Sequence, residues 1–304
     1  MLRRNVELTG VVTAFYCQYC AEQGLTDSQD PLRKAVCAYY KEHWRLSGQN
    51  PHRLMTMEEI DFQSILNVAY RNLRFDNLVQ RWTKRLKCTE IVNLGCGLDT
   101  RFSRLFNYSG LYYDVDFPKV LREKKRILGD SDRCRHLPTK TVTSAAFWNR
   151  SLRLTTQNPL FVAEGLFCYL KYQDILNLVQ RLFHLYPNAV LICDVFLYQA
   201  HHTFFDRKSR LLLRFPTIGE KLCPVILPLL KIFPERHERI FSKDEIRQYL
   251  DEIVLVETLE GENETVCHKN HIYMPEYWIG VYKRTINATG TRSDRTTDEA
   301  GRMR

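Results

Sequence analysis

The sequence contains no run of about 18 apolar residues, the length that a membrane-spanning helix needs. Its basic start, Met1–Glu7, has no apolar stretch of the kind that marks a secretion signal. These absences lead to the expectation of a cytoplasmic protein with no membrane partner. The pair Cys17-Gln18-Tyr19-Cys20 has no second Cys-x-x-Cys to complete a zinc site, so it is read as helix packing. Cys267-His268 with His271 is an equally weak ligand set, and no metal is expected. The ten cysteines are scattered through apolar segments and are expected to be reduced and mostly buried. Finger spacings, aromatic-interleaved RNA motifs and internal repeats are all lacking. The formal charge of +9 is therefore read as a solvated basic surface, carried by pieces such as Leu121–Arg126, and no nucleic-acid partner is expected.

What is present is an ordinary globular composition, 44% hydrophobic and 26% charged over 304 residues, enough for a large core without disulfides. Residues 1–85 read as helical by apolar spacings of three and four. Asp30-Pro31 predicts a helix start, Asp as N-cap and Pro in the first turn, with the helix ending near Gly48 and Pro51. A longer helix is expected from Met57 to Arg85.

Beyond that point short apolar runs alternate with helical segments, the pattern of a parallel sheet with crossover helices. Strands are expected at Glu90–Gly95, Gly110–Val115, Arg133–Leu137, Leu160–Glu164, Ala189–Val195, Ile253–Leu259 and Tyr277–Lys283. Helices are expected at Thr100–Asn107, Pro118–Leu128, Tyr172–Tyr186 and Lys243–Leu250. The fold class that follows is α/β, a doubly wound, seven-stranded, mostly parallel sheet whose last strand inserts antiparallel. Residues 1–284 form one domain in this reading. Prolines at 216, 224, 228 and 234 bar a long helix, so 199–240 is read as an insertion covering the carboxyl edge of the sheet. The polar tail 285–304 is expected to be disordered.

The most informative segment is Asn93-Leu94-Gly95-Cys96-Gly97-Leu98-Asp99-Thr100, directly after a buried strand. Gly95 and Gly97 permit a tight turn and a close approach of a ligand to the backbone. About twenty residues further on, Asp116 ends the next strand, where a carboxylate can accept hydrogen bonds from both hydroxyls of a ribose. Either a nicotinamide dinucleotide or S-adenosylmethionine has such a ribose. Dinucleotide sites take Gly-x-Gly-x-x-Gly, and here the third position is Thr100, while Asp99 adds negative charge where a pyrophosphate would lie. A sulfonium with an ammonium group suits that place better than an anion. Glu164 ends an apolar strand, where a carboxylate is costly without a partner, and so it joins the candidates.

In the segments Tyr70–Asp76, Val92–Arg101, Asp114–Pro118 and Ala163–Leu170 the chain resembles the leucine carboxyl methyltransferase-like enzymes. That family includes the phosphatase leucine carboxyl methyltransferases and the bacterial polyketide O-methyltransferases of the tetracenomycin type, and the short N-terminal half is more similar to the latter. The resemblance implies an S-adenosylmethionine-dependent O-methyltransferase acting on a small molecule. It implies that Arg71 grips the methionine carboxylate of the cofactor, with Arg74 as the rival for that role. It implies backbone approach at Gly95 and Gly97, the ribose on Asp116, and Glu164 near the reacting centre. The family usually has an aspartate beside the adenine; in Val142-Thr143-Ser144 the matching position is Ser144.

The nucleophile decides whether a base is required. A carboxylate, with a pKa near 4, is already ionised, whereas a phenol, near 10, benefits from a general base. His201 and His202 follow the fifth strand and are the catalytic candidates; a solvated helix start explains them equally well. Phe196, Tyr198, Phe204 and Phe205 suit either an apolar acceptor or the packing of the cover segment. The alternatives are an NAD(P)-dependent oxidoreductase, or a relative that binds the cofactor without catalysis.

Overall fold

The computed structural model describes residues 2–26, 30–46, 62–105, 108–170, 172–196, 256–262, 266–268, 271–273 and 277–284. The expected cover segment, the helix at Lys243–Leu250, the tail and both candidate histidines lie outside the described residues.

The helical N-terminal part comprises α1 (Leu2–Glu22), α2 (Pro31–Leu46) and α3 (Phe62–Leu86). α2 starts where Asp30-Pro31 places it. Asp30 Oδ1 accepts the N–H groups of Leu32 and Arg33 at 3.0 and 3.1 Å, and Pro31 has no N–H to satisfy. The expected start of the long helix near Met57 falls outside the described residues. α1 and the turn after it pack on α3 through Cys17, Cys20, Leu25, Ile65, Leu66, Ala69 and Tyr70. The lone cysteine pair is thus apolar packing, and burial pushes the Cys20 thiol up to about 12.

The strands are β1 (Glu90–Leu94), β2 (Leu111–Asp116), β3 (Cys134–Pro138), β4 (Leu160–Ala163), β5 (Val190–Phe196), β6 (Val256–Glu262), the hairpin β7 (Val266–His268) and β8 (His271–Tyr273), and β9 (Tyr277–Arg284). The main sheet runs β3-β2-β1-β4-β5-β9-β6. β1 to β5 are parallel, and β9 enters antiparallel between β5 and β6. The result is a mixed, mostly parallel α/β sheet.

Both faces of the sheet are covered, which is why β1 and β4 are buried without alternation and β4 is wholly apolar. Successive side chains point to opposite faces. Val92, Leu94, Val115, Phe161 and Ala163 meet Leu178, Val179 and Leu182 of α6 (Tyr172–Leu185). Ile91, Tyr112, Leu160, Val162 and Ile192 meet Phe75, Leu78 and Val79 of α3. Each such side chain contributes about 1.5–3 kcal/mol by leaving water. Packing the second half of α3 on the sheet carries its earlier residues Arg71 and Asn72 to the end of β4.

Two crossover helices follow β1 and β2: α4 (Arg101–Arg104) and α5 (Pro118–Leu128). α5 has the expected bounds. α4 is a single turn where a helix to Asn107 was expected; the backbone leaves helical geometry at Leu105, and both its arginines are drawn inward by buried carboxylates. Among the described residues no helix is long and apolar enough to cross a membrane.

Candidate functional site

The glycine loop leaves the end of β1 with Gly95 at φ +66° and Gly97 at φ +50°, backbone that residues with a Cβ rarely adopt. A Cβ on Gly95 would also come within 2.8 Å of Leu166 Cδ1, in the turn after β4. The loop is sewn to β2. Gly95 and Cys96 donate to the carbonyl of Val115 at 2.8 and 3.2 Å, and Gly97 N–H donates to Asp116 Oδ2 at 2.8 Å. Phe117 N–H donates to the other carboxylate oxygen at 2.6 Å. Asp116 is therefore fixed by backbone on both sides, while each oxygen retains a lone-pair direction for a hydroxyl. Burial raises its carboxyl above the usual value against the pull of those N–H groups.

The second half of the site joins α3 to β4. Arg71 Nε donates to Glu164 Oε1 at 3.1 Å, and its Nη1 lies 3.5 Å from Asp194 Oδ2 on β5. Asn72 Nδ2 donates to Glu164 Oε2 at 3.2 Å, and Arg101 Nη2 donates to the same oxygen. Arg71 is 7% exposed, and Arg74 is half-buried. Gly165, at φ +62°, lets the backbone pass the guanidinium, for a Cβ there would sit 3.2 Å from Arg71 Nη2. Leu166 touches the Gly95 position and Gly165 faces Arg71, so this one turn places the glycine loop and the guanidinium on one edge of the sheet.

Beneath this edge lies a buried charge network that the sequence reading missed. Asp76 accepts Arg101 Nε at 2.7 Å and Arg104 Nε at 2.6 Å. Arg104 also donates to Asp30 Oδ2 at 2.7 Å, Thr100 Oγ1 at 2.8 Å and Asn72 Oδ1 at 3.2 Å. Thr100 hydroxyl donates to Asp30, and Arg33 donates to Asn72 Oδ1 at 2.8 Å. The α2 cap, α3, the glycine loop and β4 are thus tied through ions that are each paired, the condition under which burial of charge is tolerated. The signal was present: Asp76 and Arg101 close two of the motifs quoted above, and Arg104 sits one helical turn after Arg101.

One expectation is corrected here. Asp99 does not aim charge at a ligand. It accepts Arg101 N–H at 3.0 Å and pairs with the Arg101 and Arg104 guanidinium groups at 2.8 and 3.1 Å. Burial alone would raise its carboxyl, but Arg101, Arg104 and Lys124 outweigh burial and hold it well below the usual range. The case against a pyrophosphate rests instead on Thr100, turned inward onto Asp30, and on the single turn of α4. Asp114 is fully buried and pairs with Lys124 Nζ at 2.7 Å. Asp114, Cys134 and His136 bring potential ligand atoms within 4.8 Å of one another, yet the Lys124 ammonium already neutralises that carboxylate.

Ser144 lies in the turn after β3, half-buried, with its N–H on the Thr141 carbonyl and its carbonyl accepting Trp148 N–H. Trp148 is locked behind it by Nε1–H on the Val142 carbonyl at 2.6 Å. Arg71 can donate to a ligand carboxylate and Asp116 can accept from a diol.

The sequence profile described as leucine carboxyl methyltransferase matches residues 28–183, just over half of the chain. No curated protein gives a significant sequence match. Among solved structures, a DUF574 family protein from Streptomyces avermitilis superposes with TM-score 0.53 at 13% identity, over 78% of this chain and 92% of that one. At that identity the likeness speaks to the fold alone. A mitomycin 7-O-methyltransferase superposes with TM-score 0.46 at 15% identity, over 76% of this chain; the match spans 60% of that protein's length. The magnesium protoporphyrin IX methyltransferase of Synechocystis PCC 6803, solved with bound SAH, gives TM-score 0.46 at 11% identity, over 82% of this chain and 99% of that one.

Proposed function

Because the chain belongs to the leucine carboxyl methyltransferase family, we propose that it binds S-adenosylmethionine at the edge formed by Gly95, Gly97, Asp116 and Arg71 and methylates an oxygen of a small molecule. The observation that carries this reading is the hydrogen bond from Gly97 N–H to Asp116, which fixes a ribose-holding carboxylate on the glycine turn, one turn of chain away from a buried guanidinium. When bound, the cofactor supplies an already activated methyl group, which leaves the protein to position and desolvate the acceptor.

In this reading Arg71 holds the methionine carboxylate, its planar fork oriented by Glu164 and Asp194. Asp116 accepts the ribose hydroxyls, Gly95 and Gly97 admit the ligand to the backbone, and Ser144 stands on the adenine side. Glu164 acts near the reacting centre chiefly by orienting Arg71 and Arg101, since both of its oxygens already accept from them and from Asn72. A carboxylate acceptor, ionised at neutral pH, needs no base. A hydroxyl acceptor would draw on His201 or His202. We take the whole as the seven-stranded class I methyltransferase sheet of a single cytoplasmic domain, covered by 199–240, with neither nucleic acid nor membrane as partner.

The test is incubation of the full chain with methyl-labelled S-adenosylmethionine and a cell extract. Label is expected in a small product. Release of labelled methanol by mild base identifies an ester of a carboxylate, and retention identifies an ether. Transfer to protein or nucleic acid would overturn the small-molecule part of the reading. Cofactor binding with no transfer to any extract would favour a non-catalytic relative, and a fluorescence change with NADH would favour an oxidoreductase.

A further inference from the structure

We propose that Asp194 is a specificity-determining residue: its carboxylate makes the site prefer the cationic sulfonium cofactor to the neutral thioether that methyl transfer leaves behind. The inference rests on the cofactor reading above. Asp194 lies on β5, in the residue after Cys193, which pairs with Ala163 at the end of β4. Its Oδ1 accepts Gly165 N–H at 2.6 Å, so it is pinned to the same turn that carries Glu164. Its side chain is 2% exposed.

The charges around it are uneven. From α3 comes the Arg71 guanidinium, 3.5 Å away, which Asp194 shares with Glu164. From the end of β4 come the Glu164 carboxylate and the Gly165 N–H. On its own strand stands the Cys193 thiol, which burial keeps protonated, and on β9 its register partner is the apolar Ile279. Arg101 also pairs with Glu164, and among the described residues the connected network sets four guanidinium groups, Arg33, Arg71, Arg101 and Arg104, against five carboxylates, Asp30, Asp76, Asp99, Glu164 and Asp194. Burial pushes the Asp194 carboxyl up to about 6, with Arg71 and Gly165 N–H pulling it down and Glu164 pushing it further up.

S-adenosylmethionine carries an ammonium, a sulfonium and a carboxylate, a net charge of +1 by its chemistry. The product lacks the sulfonium charge and is neutral overall. Both place the same carboxylate on Arg71, so whatever that does to the Arg71–Asp194 pair cancels in the ratio of their affinities. What remains is the attraction between the sulfonium and the surplus carboxylate in a low-dielectric site. Ionised Asp194 favours the cofactor and protonated Asp194 is indifferent. The preference therefore grows as pH rises through the Asp194 titration and levels off above it, and the cofactor releases more protons on binding than the product does.

Isothermal calorimetry with S-adenosylmethionine and S-adenosylhomocysteine tests this, at about pH 5 and about pH 8, on the wild type and Asp194→Asn. The carboxamide keeps an oxygen for Gly165 N–H. The wild-type ratio of affinities is expected to rise by roughly tenfold between the two pH values, and the Asp194→Asn ratio to stay flat. Asp116 remains in both proteins as a control for the other raised carboxyl. Should the variant fail to fold, wild-type titrations near pH 6 in buffers of different ionisation enthalpy give proton release directly, expected to be greater for the cofactor than for the product. A pH-dependent ratio that survives in Asp194→Asn, or equal proton release for the two ligands, overturns the role of Asp194. Absence of any cofactor binding by the wild type at either pH would instead overturn the cofactor reading.

Discussion

Arg71 and Glu164, 93 residues apart in the chain, meet at 3.1 Å with less than a tenth of either side chain exposed. The contact joins the helical N-terminal part to the sheet at the one edge where the glycine loop also lies. It also fixes the orientation of the guanidinium.

Replacing Arg71 separates stability from binding. Arg71→Ala takes the guanidinium from the buried Asp194 and leaves Glu164 with Arg101 and Asn72 only, and it is expected to cost about 3–5 kcal/mol of stability in urea denaturation. Arg71→Lys keeps the charge but not the fork. It is expected to fold and yet to bind S-adenosylmethionine about 1.5–3 kcal/mol more weakly by calorimetry. An unchanged dissociation constant in Arg71→Lys would pass the role to Arg74 or elsewhere.

Gly95→Ala meets two obstacles, the positive φ and the Leu166 methyl 2.8 Å from the new Cβ. The backbone term alone is worth about 1–2 kcal/mol. Adding Leu166→Ala should recover the steric part only, so the double variant is expected to melt above Gly95→Ala and below Leu166→Ala. Full recovery would show that φ is not strained at this position.

The alternation of apolar runs made the parallel sheet and its crossover helices readable, because strands buried on both faces need continuous apolar residues, as in Leu160–Ala163. Asp30-Pro31 was readable for the same kind of reason, since cap chemistry is local. The glycine loop and Asp116 could be placed together because both hang on adjacent strand ends. The inward turn of Asp99 was not readable: its partners Arg101 and Arg104 are close in sequence, but the choice between solvent and interior depends on Asp76 and Glu164 arriving from distant elements. Nor was the ion pair of Asp114, whose partner Lys124 is one of several similar lysines and arginines on α5.

Asp76 is the hub of the buried network, accepting from both Arg101 and Arg104. Asp76→Ala leaves two buried guanidinium groups short of a counter-charge and is expected to destabilise by about 3–5 kcal/mol. Chemical denaturation checks this, and a loss below about 1 kcal/mol would show that the network relaxes onto Asp99 and Asp30.

Acid should unpick the same network. Asp99 has a folded-state pKa below its unfolded one, so its contribution is present above the ordinary carboxylate range and lost as pH falls through that range and below. Denaturation midpoints are expected to fall between about pH 5 and pH 2, less steeply in Asp99→Asn than in the wild type. Parallel profiles in the two proteins would remove Asp99 from the account.

The most direct measurement is calorimetric titration of the full chain with S-adenosylmethionine, in the wild type and in Asp116→Ala. Saturable micromolar binding by the wild type, lost when the carboxylate on the glycine turn is removed, is the predicted result. A wild type that takes up no cofactor at millimolar concentration, or a variant that binds as tightly as the wild type, would contradict the placement of the cofactor at this edge of the sheet.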